Sequence, residues 1–493
     1  MNGLFWLVIC SQSGRNLGMD PSQNLRGSTQ NELFQALIFD AGSSGTRIHV
    51  FNMRMSPGAA LPTVDLSVRD RQSRKLTPGL SYFARNEDLA ACQENIEGLI
   101  EFANHFVPRE RRHSTPAVLK ATAGLRAVGE AKAEMVLGRV RETLRSSPYK
   151  FEADWAAVIR GKEEGGLAWL AANYLQGHFN DSTGQSSGSL GVIEMGGGST
   201  QVTFEVDSKD LVADDDSFQF VTALGRRYSL YAHSYLGFGQ DYAQTRLRDV
   251  MPINSSEDSC YPRGHDRRSA GHHIVKGAGD TTLCRRSIKE HLFESDTAPG
   301  RYASELHLRG KFVAIENFYY IRKELSLEIG KLDPSNDDAS RVCATSARQE
   351  DIRAGDQDAG KPNGCFALSY QMELLSALHA FSRPGVEVEV MHKINGGDID
   401  WALGAAIKHY LEALSHGQRP VGLGNIGLGQ SSFTLTSLAV ILFFAPLFRW
   451  LYGRRRSCLK HMSSKDSDTD LPEIASIRSE TLGARYACVG DEE

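Results

Sequence analysis

Short apolar runs at positions 36–39, 47–51, 117–121, 190–195 and 201–206 have strand length and end in turn or charged residues, so they predict β-strands. Amphipathic stretches separate them. In the clearest of these, 87–106, the side chains of Leu89, Cys92, Ile96, Leu99 and Ala103 fall on one helical face. Strands alternating with such helices predict an α/β fold. Polar, Gly/Ser-rich insertions at 178–189, 255–280 and 333–339 read as surface loops.

One apolar run is of another kind. Positions 433–448 (FTLTSLAVILFFAPLF) carry no charge and are followed by Arg449, Trp450, Tyr452 and Arg454, Arg455 and Arg456. Sixteen residues fall short of the roughly 20 needed to cross a bilayer, but Trp450, Leu451 and Tyr452 extend the run while Arg449 snorkels. The expected transmembrane helix is therefore 433–452. The arginines beyond it belong in the cytosol, which places the large N-terminal part in a lumen or outside the cell, in the Golgi or at the plasma membrane. Residues 415–432 then form a linker and 453–493 a polar cytosolic tail. The apolar run at 4–10 (LFWLVIC) is too short to span, and 1–32 reads as an N-terminal segment containing a short signal or anchor.

An internal repeat carries more chemistry than the periodicity does. Positions 37–51 (LIFDAGSSGTRIHVF) and 192–204 (VIEMGGGSTQVTF) share one plan: apolar strand, acidic residue, small-residue turn, apolar strand. A strand that ends in a carboxylate and turns through Gly and Ser exposes successive backbone N–H groups, which can cradle a phosphate while the carboxylate holds a cation. The repeat also predicts two lobes of similar fold.

Composition narrows the field. The chain has 493 residues and a formal net charge of -5, so no global basic field attracts nucleic acid, which is set aside as a partner. Of eight cysteines, Cys10 lies in the N-terminal run and Cys458 and Cys488 lie beyond the span. Cys260 with Cys284 and Cys343 with Cys365 are the preferred disulfides, each bracketing a loop-rich stretch, and Cys92 is left as a buried thiol. Cys458 is a weak palmitoylation candidate, and 180–182 and 254–256 are glycosylation sequons suited to a lumenal domain.

Five segments then occur in order: DAGSSGTR at 40–47, KATAGLR at 120–126, GKEEGGLAWLAANYLQG at 161–177, EMGGGSTQVTF at 194–204 and INGGDIDWALGAA at 394–406. Together they resemble the five conserved regions of the ecto-nucleoside triphosphate diphosphohydrolase (apyrase) family. The C-terminal span and sparse cysteines look more like its plant-type membrane members. The resemblance implies two ribonuclease-H-like lobes of the actin/sugar kinase/Hsp70 superfold with the active site in the interlobe cleft: lobe I at 33–162, lobe II at 163–390, and a return to lobe I at 391–414.

It also implies hydrolysis of the terminal phosphates of nucleoside tri- and diphosphates. Glu164 matches the family's catalytic base, and Ser199 and Gln201 match residues that orient the attacking water. Asp40 and Glu194 match the acidic pair that holds Ca²⁺ or Mg²⁺ through water, although the second position is usually Asp, one methylene shorter. Gly42, Ser43, Ser44, Gly45, Thr46, Thr122, Ala123, Gly196, Gly197, Gly198 and Thr200 would line the phosphate track. Tyr320 matches an aromatic that stacks on the base, while Gly364 stands where the opposing aromatic is expected. Arg47 and Arg126 read either as added positive charge or as structural ion pairs, Glu163 as a helix cap, Tyr370 as packing, and Trp401 as a nucleotide contact or a core residue at the lobe interface. A kinase-like or chaperone-like ATPase of the same superfold, and a nucleotide-binding receptor without catalysis, are the competing readings.

Overall fold

The computed structural model describes residues 33–67, 72–180, 188–207, 217–250, 256–268, 274–294, 308–345 and 364–415. The expected span at 433–452, the run at 4–10, the cytosolic tail and nearly all of the linker lie outside them, and so do most of the two sequons. Among the described residues no helix is long and apolar enough to cross a membrane.

The first lobe is a sheet of six strands: β1 (Phe34–Ala41), β2 (Thr46–Arg54), β3 (Thr63–Val64), β4 (Ser73–Leu76), β5 (Ala117–Ala121) and β6 (Ala156–Val158). Its order is β3-β2-β1-β5-β6, with β4 also on β2. The second lobe holds β7 (Gly191–Met195), β8 (Ser199–Glu205), β9 (Ser217–Val221) and β10 (Arg227–Leu236). A small sheet follows, made of β11 (Glu257–Asp258), β12 (Asp266–Arg268) and β13 (Ile274–Gly277). Strands β14 (Gly310–Glu316) and β15 (Val386–Val390) complete the second main sheet, ordered β15-β14-β7-β8-β10-β9.

The internal repeat is visible in the pairing. In the first sheet β3/β2 and β2/β1 are antiparallel and β1/β5 and β5/β6 parallel. In the second, β10/β8 and β8/β7 are antiparallel and β7/β14 and β14/β15 parallel. The two hairpins, β1–β2 and β7–β8, therefore occupy equivalent central places. Their strands are almost wholly buried; β1 and β7 are largely apolar, while β8 also buries the polar Ser199, Thr200, Gln201 and Thr203.

The β11–β13 sheet corrects the loop expected across 255–280. Its strands are only two to four residues long, too short for alternation to show. Both expected disulfides are formed, Cys260–Cys284 and Cys343–Cys365, and Cys92 is a buried free thiol on helix Leu89–Ala103.

Two helices join the lobes. Gly161–Gln176 begins with the Arg160 N–H donating to Glu163 Oε2 at 3.0 Å and ends at Gly177, where φ is 83°. Glu163 is thus the helix cap. Trp401–Ser415 lies against it, and one apolar core runs from Ile38 and Val118 of the first sheet through Leu167, Trp169 and Leu403 to Val192 and Leu230 of the second. Each such fully buried large side chain contributes about 1.5–3 kcal/mol. Backbone meets backbone at the crossing, because a Cβ on Gly404 would stand 2.0 Å from the Leu167 carbonyl oxygen.

A glycine with no such reason sits at 138, inside helix Glu130–Ser146, where an added Cβ meets nothing within 4 Å. Gly138→Ala is expected to stabilise the protein by about 0.5–1 kcal/mol through a less flexible unfolded chain, read as a higher denaturant midpoint at unchanged slope.

Candidate active site

The equivalent hairpins aim equivalent carboxylates. Asp40 stands one residue before the end of β1, opposite Arg47 on β2 and Lys120 on β5, and Glu194 stands one before the end of β7, opposite Gln201 on β8 and Ile315 on β14. The turns that follow line one cavity of about 120 Å³, together with Thr122, Ala123, Glu164, Ser199 and Trp401. The turns are tightly apposed. A Cβ on Gly197 would lie 2.7 Å from Ser43 Oγ, one on Gly124 2.9 Å from Ser43 Cα, and one on Gly198 2.9 Å from the Ala123 Cβ. Glycine is needed at these positions by space rather than by φ.

Glu164 sits in the first turn of helix Gly161–Gln176 and is 7% exposed. Its Oε2 accepts from Arg126 Nη2 at 2.6 Å and from Gln201 Nε2 at 3.2 Å. Arg126 also donates to Ser199 Oγ at 3.1 Å, and Gln201 Nε2 lies 2.7 Å from the same oxygen and 3.0 Å from Ser234 Oγ. Burial raises the Glu164 pKa, and the Arg126 charge and hydrogen bond oppose that rise. A carboxylate so placed has increased proton affinity, as a general base needs, while the Arg126 partner favours its charged form. The Arg126 partner, rather than the helix N-terminus alone, supplies the opposing charge.

The acidic residues form a cluster. Burial, then the charges of Asp400, Glu164 and Glu316, push Asp40 well above the usual carboxylate range. Burial, then Glu164, Glu316, Asp400 and Asp40, does the same to Glu194. Asp40 Oδ1 and Glu194 Oε2 are buried without a hydrogen-bond partner. Buried, mutually repelling carboxylates with unused oxygens beside one cavity suit a hard divalent cation. Among the described residues no three His, Cys, Asp or Glu side chains are grouped to hold a metal ion directly, so water would have to fill most of its shell.

Several expected contacts fall elsewhere. Thr46 and Thr200 are fully buried and do not line the cavity; Thr200 Oγ1 donates to the Phe238 carbonyl at 2.7 Å. Side chains alternate along a strand, so Ser199 and Gln201 face Glu164 and Thr200 turns away. Gln201 is also buried outside the cavity lining. Its Nε2 is committed to Ser199, Ser234 and Glu164, and its Oε1 is buried without a partner. Tyr320 borders a neighbouring cavity of about 310 Å³ with His49, His392 and Asp398. Gly364 is buried, and its Cβ would meet Leu325 at 2.9 Å and Val342 at 3.2 Å, so an aromatic there would collide with the core. Tyr370 is wholly buried and donates to the Phe238 carbonyl at 2.6 Å. Trp401 is 4% exposed in the core and also borders the cavity.

Three lining residues had no role in the sequence reading. Lys75 Nζ donates to Ser44 Oγ at 2.9 Å. Asp400, inside the fifth motif, lies 3.2 Å from His49 Nε2. Glu316 ends β14 with φ 61° and ψ -118°, and borders both cavities together with Arg47, Lys75 and Asp400. Burial, then Asp400, pushes its carboxyl up to about 7.

Residues 27–418 match the sequence model of the GDA1/CD39 (nucleoside phosphatase) family. "Probable apyrase 5" of Arabidopsis thaliana is 30% identical over 77% of this chain and 82% of its own length. "Ectonucleoside triphosphate diphosphohydrolase 6" of Mus musculus is 31% identical over 81% of this chain and 86% of its own. Plant and animal relatives thus lie equally far from it. The solved structure of nucleoside triphosphate hydrolases from Neospora caninum shares the fold, with a TM-score of 0.58 at 15% identity over 81% of this chain and 96% of that one.

Proposed function

This chain belongs to the GDA1/CD39 (nucleoside phosphatase) family and is a nucleoside tri- and diphosphate hydrolase, and from that premise we propose that Glu164 is its general base. The observation that carries the reading is the Arg126–Glu164–Gln201–Ser199 network at the wall of a cavity formed by two phosphate-binding turns.

The turns 42–45 and 196–198 bind the phosphate chain through backbone N–H groups, with Lys75 supplying positive charge through its place beside Ser44. Ser199 Oγ orients a water toward the terminal phosphorus, and Gln201 holds Ser199 and Glu164 in place from behind it. Glu164 removes a proton from that water as its oxygen bonds to phosphorus, and the bridging P–O bond breaks to release orthophosphate and the shortened nucleotide. Arg126 fixes the carboxylate and the serine together. Asp40 and Glu194 would hold a divalent cation through its water shell, and the cation would neutralise charge developing on the phosphates. Ca²⁺ and Mg²⁺ both suit these oxygen donors. The neighbouring cavity at Tyr320 takes the nucleoside, with Tyr320 and the His392 ring beside it to contact the base and no opposing Phe, Tyr or Trp among its lining, which favours loose base selection.

Residues 433–452 anchor the protein in a membrane with the catalytic part lumenal or extracellular, in the Golgi or at the plasma membrane. The uncharged run, the arginines after it and the two disulfides support this reading. Protease treatment of sealed vesicles should remove the C-terminal tail and spare the catalytic part; the reverse pattern refutes the topology.

Phosphate release from ATP, ADP, GDP and UDP, measured with Ca²⁺ or Mg²⁺, tests the activity and sets the preference among substrates. Cation removal has a second readout. Glu316, Asp40 and Glu194 hold protons more tightly folded than unfolded, so their contribution to stability is present at low pH and is lost as pH rises above the ordinary carboxylate range, for Glu316 through about 7. In chelator, Glu316→Gln should gain melting temperature relative to the parent as pH rises from about 5 to about 8, and millimolar cation should shrink the gain. A difference independent of pH would remove Glu316 from the cluster.

A further inference from the structure

A cavity of about 560 Å³ shares no residue with the site just described. It opens between β5, the segment 150–155 and the two joining helices, and its walls include Phe34, Val118, Trp155, Phe218 and Ala405. The size is that of small-molecule pockets, about 300–1,000 Å³. Three of its bordering acids already have cationic partners: Lys150 lies 3.6 Å from Glu152, Lys408 pairs with Glu412, and Arg160 lies 3.6 Å from Glu163. A fourth, Asp154, is exposed to solvent. Lys120 differs from the other cations. It is half-buried, pairs with no carboxylate among the described residues, and reaches only the Asp154 carbonyl at 3.5 Å.

We propose that this cavity is a second ligand site, for a small aromatic or aliphatic body bearing one anionic head, with Lys120 as the partner of the head. The body meets Trp155, whose ring carries Lys150 Nζ 5.4 Å from its centroid and packs at right angles to His409 with centroids 4.7 Å apart. Burial, then the Lys408 charge, lowers the Lys120 pKa against the opposing charges of Glu163, Asp154 and Glu412, none of which pairs with it, so an anion arriving there gives the ammonium the direct partner it lacks. The site is separate from the phosphate cavity but built on the same elements. Lys120 is on β5 two residues before Thr122, which follows the strand's end, and Glu163 precedes Glu164 on one helix.

Calorimetric titration of the full chain, held in lipid nanodiscs, with naphthalene-2-sulfonate tests this. One saturable site is expected, unaffected by a saturating nonhydrolysable nucleotide and retained in Glu164→Gln. Lys120→Met, which keeps the stem and removes the charge, should weaken binding at least about tenfold. Ala413→Trp, at the cavity rim, should block it, with normal phosphate release in both variants showing that they fold. Absence of saturable binding, equal binding to Lys120→Met, or displacement by nucleotide each overturns the proposal. Loss of activity in Glu164→Gln with probe binding intact keeps this test apart from that of the catalytic base.

Discussion

Glu164→Gln is expected to lower kcat by about a thousandfold, within the range of about 10²–10⁴ that a positioned base supplies, while KM changes little. The amide keeps the carbonyl that accepts from Arg126 and Gln201, so the network persists, but it cannot take a proton from water. Steady-state phosphate release together with binding of a nonhydrolysable nucleotide separates the two effects. Turnover within about tenfold of the parent would take the role of base away from Glu164.

Gly404→Val is expected to be strongly destabilising. The added carbon would stand 2.0 Å from the Leu167 oxygen and 2.8 Å from its carbonyl carbon, so two backbones must part rather than one side chain turn. Overpacking in a core costs about 1–3 kcal/mol when side chains can adjust, and a backbone obstacle at the shared core of both lobes should cost at least about 3 kcal/mol. Denaturation by urea, or the yield of folded protein, measures it. A midpoint equal to the parent's would mean that the helices can separate freely, and that their contact is not what joins the lobes.

Much of the site was legible because its pieces are local. Asp40 with 42–45, and Glu194 with 196–198, are each one strand end and one turn, and a turn of small residues after a carboxylate shows in sequence without any knowledge of the fold. What was not legible depends on tertiary placement. Lys75 reaches Ser44 from a strand 31 residues on, and Arg126 reaches Ser199 across 73 residues. Glu316 ends an apolar strand in a backbone conformation that no periodicity announces. Thr46 and Thr200 were misplaced by counting along the motif, where the two-residue alternation of a strand decides which side chains face the cavity. Short strands at 257–277 left no pattern to read.

The cross-links bear on how the two halves can move. Cys260–Cys284 and Cys343–Cys365 join residues 24 and 22 apart, and all four lie within the second lobe's part of the chain. Each tightens a short stretch, and neither ties lobe to lobe. Reductant should therefore loosen the second lobe, where all four sulfurs are buried, and leave unchanged the noncovalent Gly404–Leu167 crossing between the helices that join the lobes.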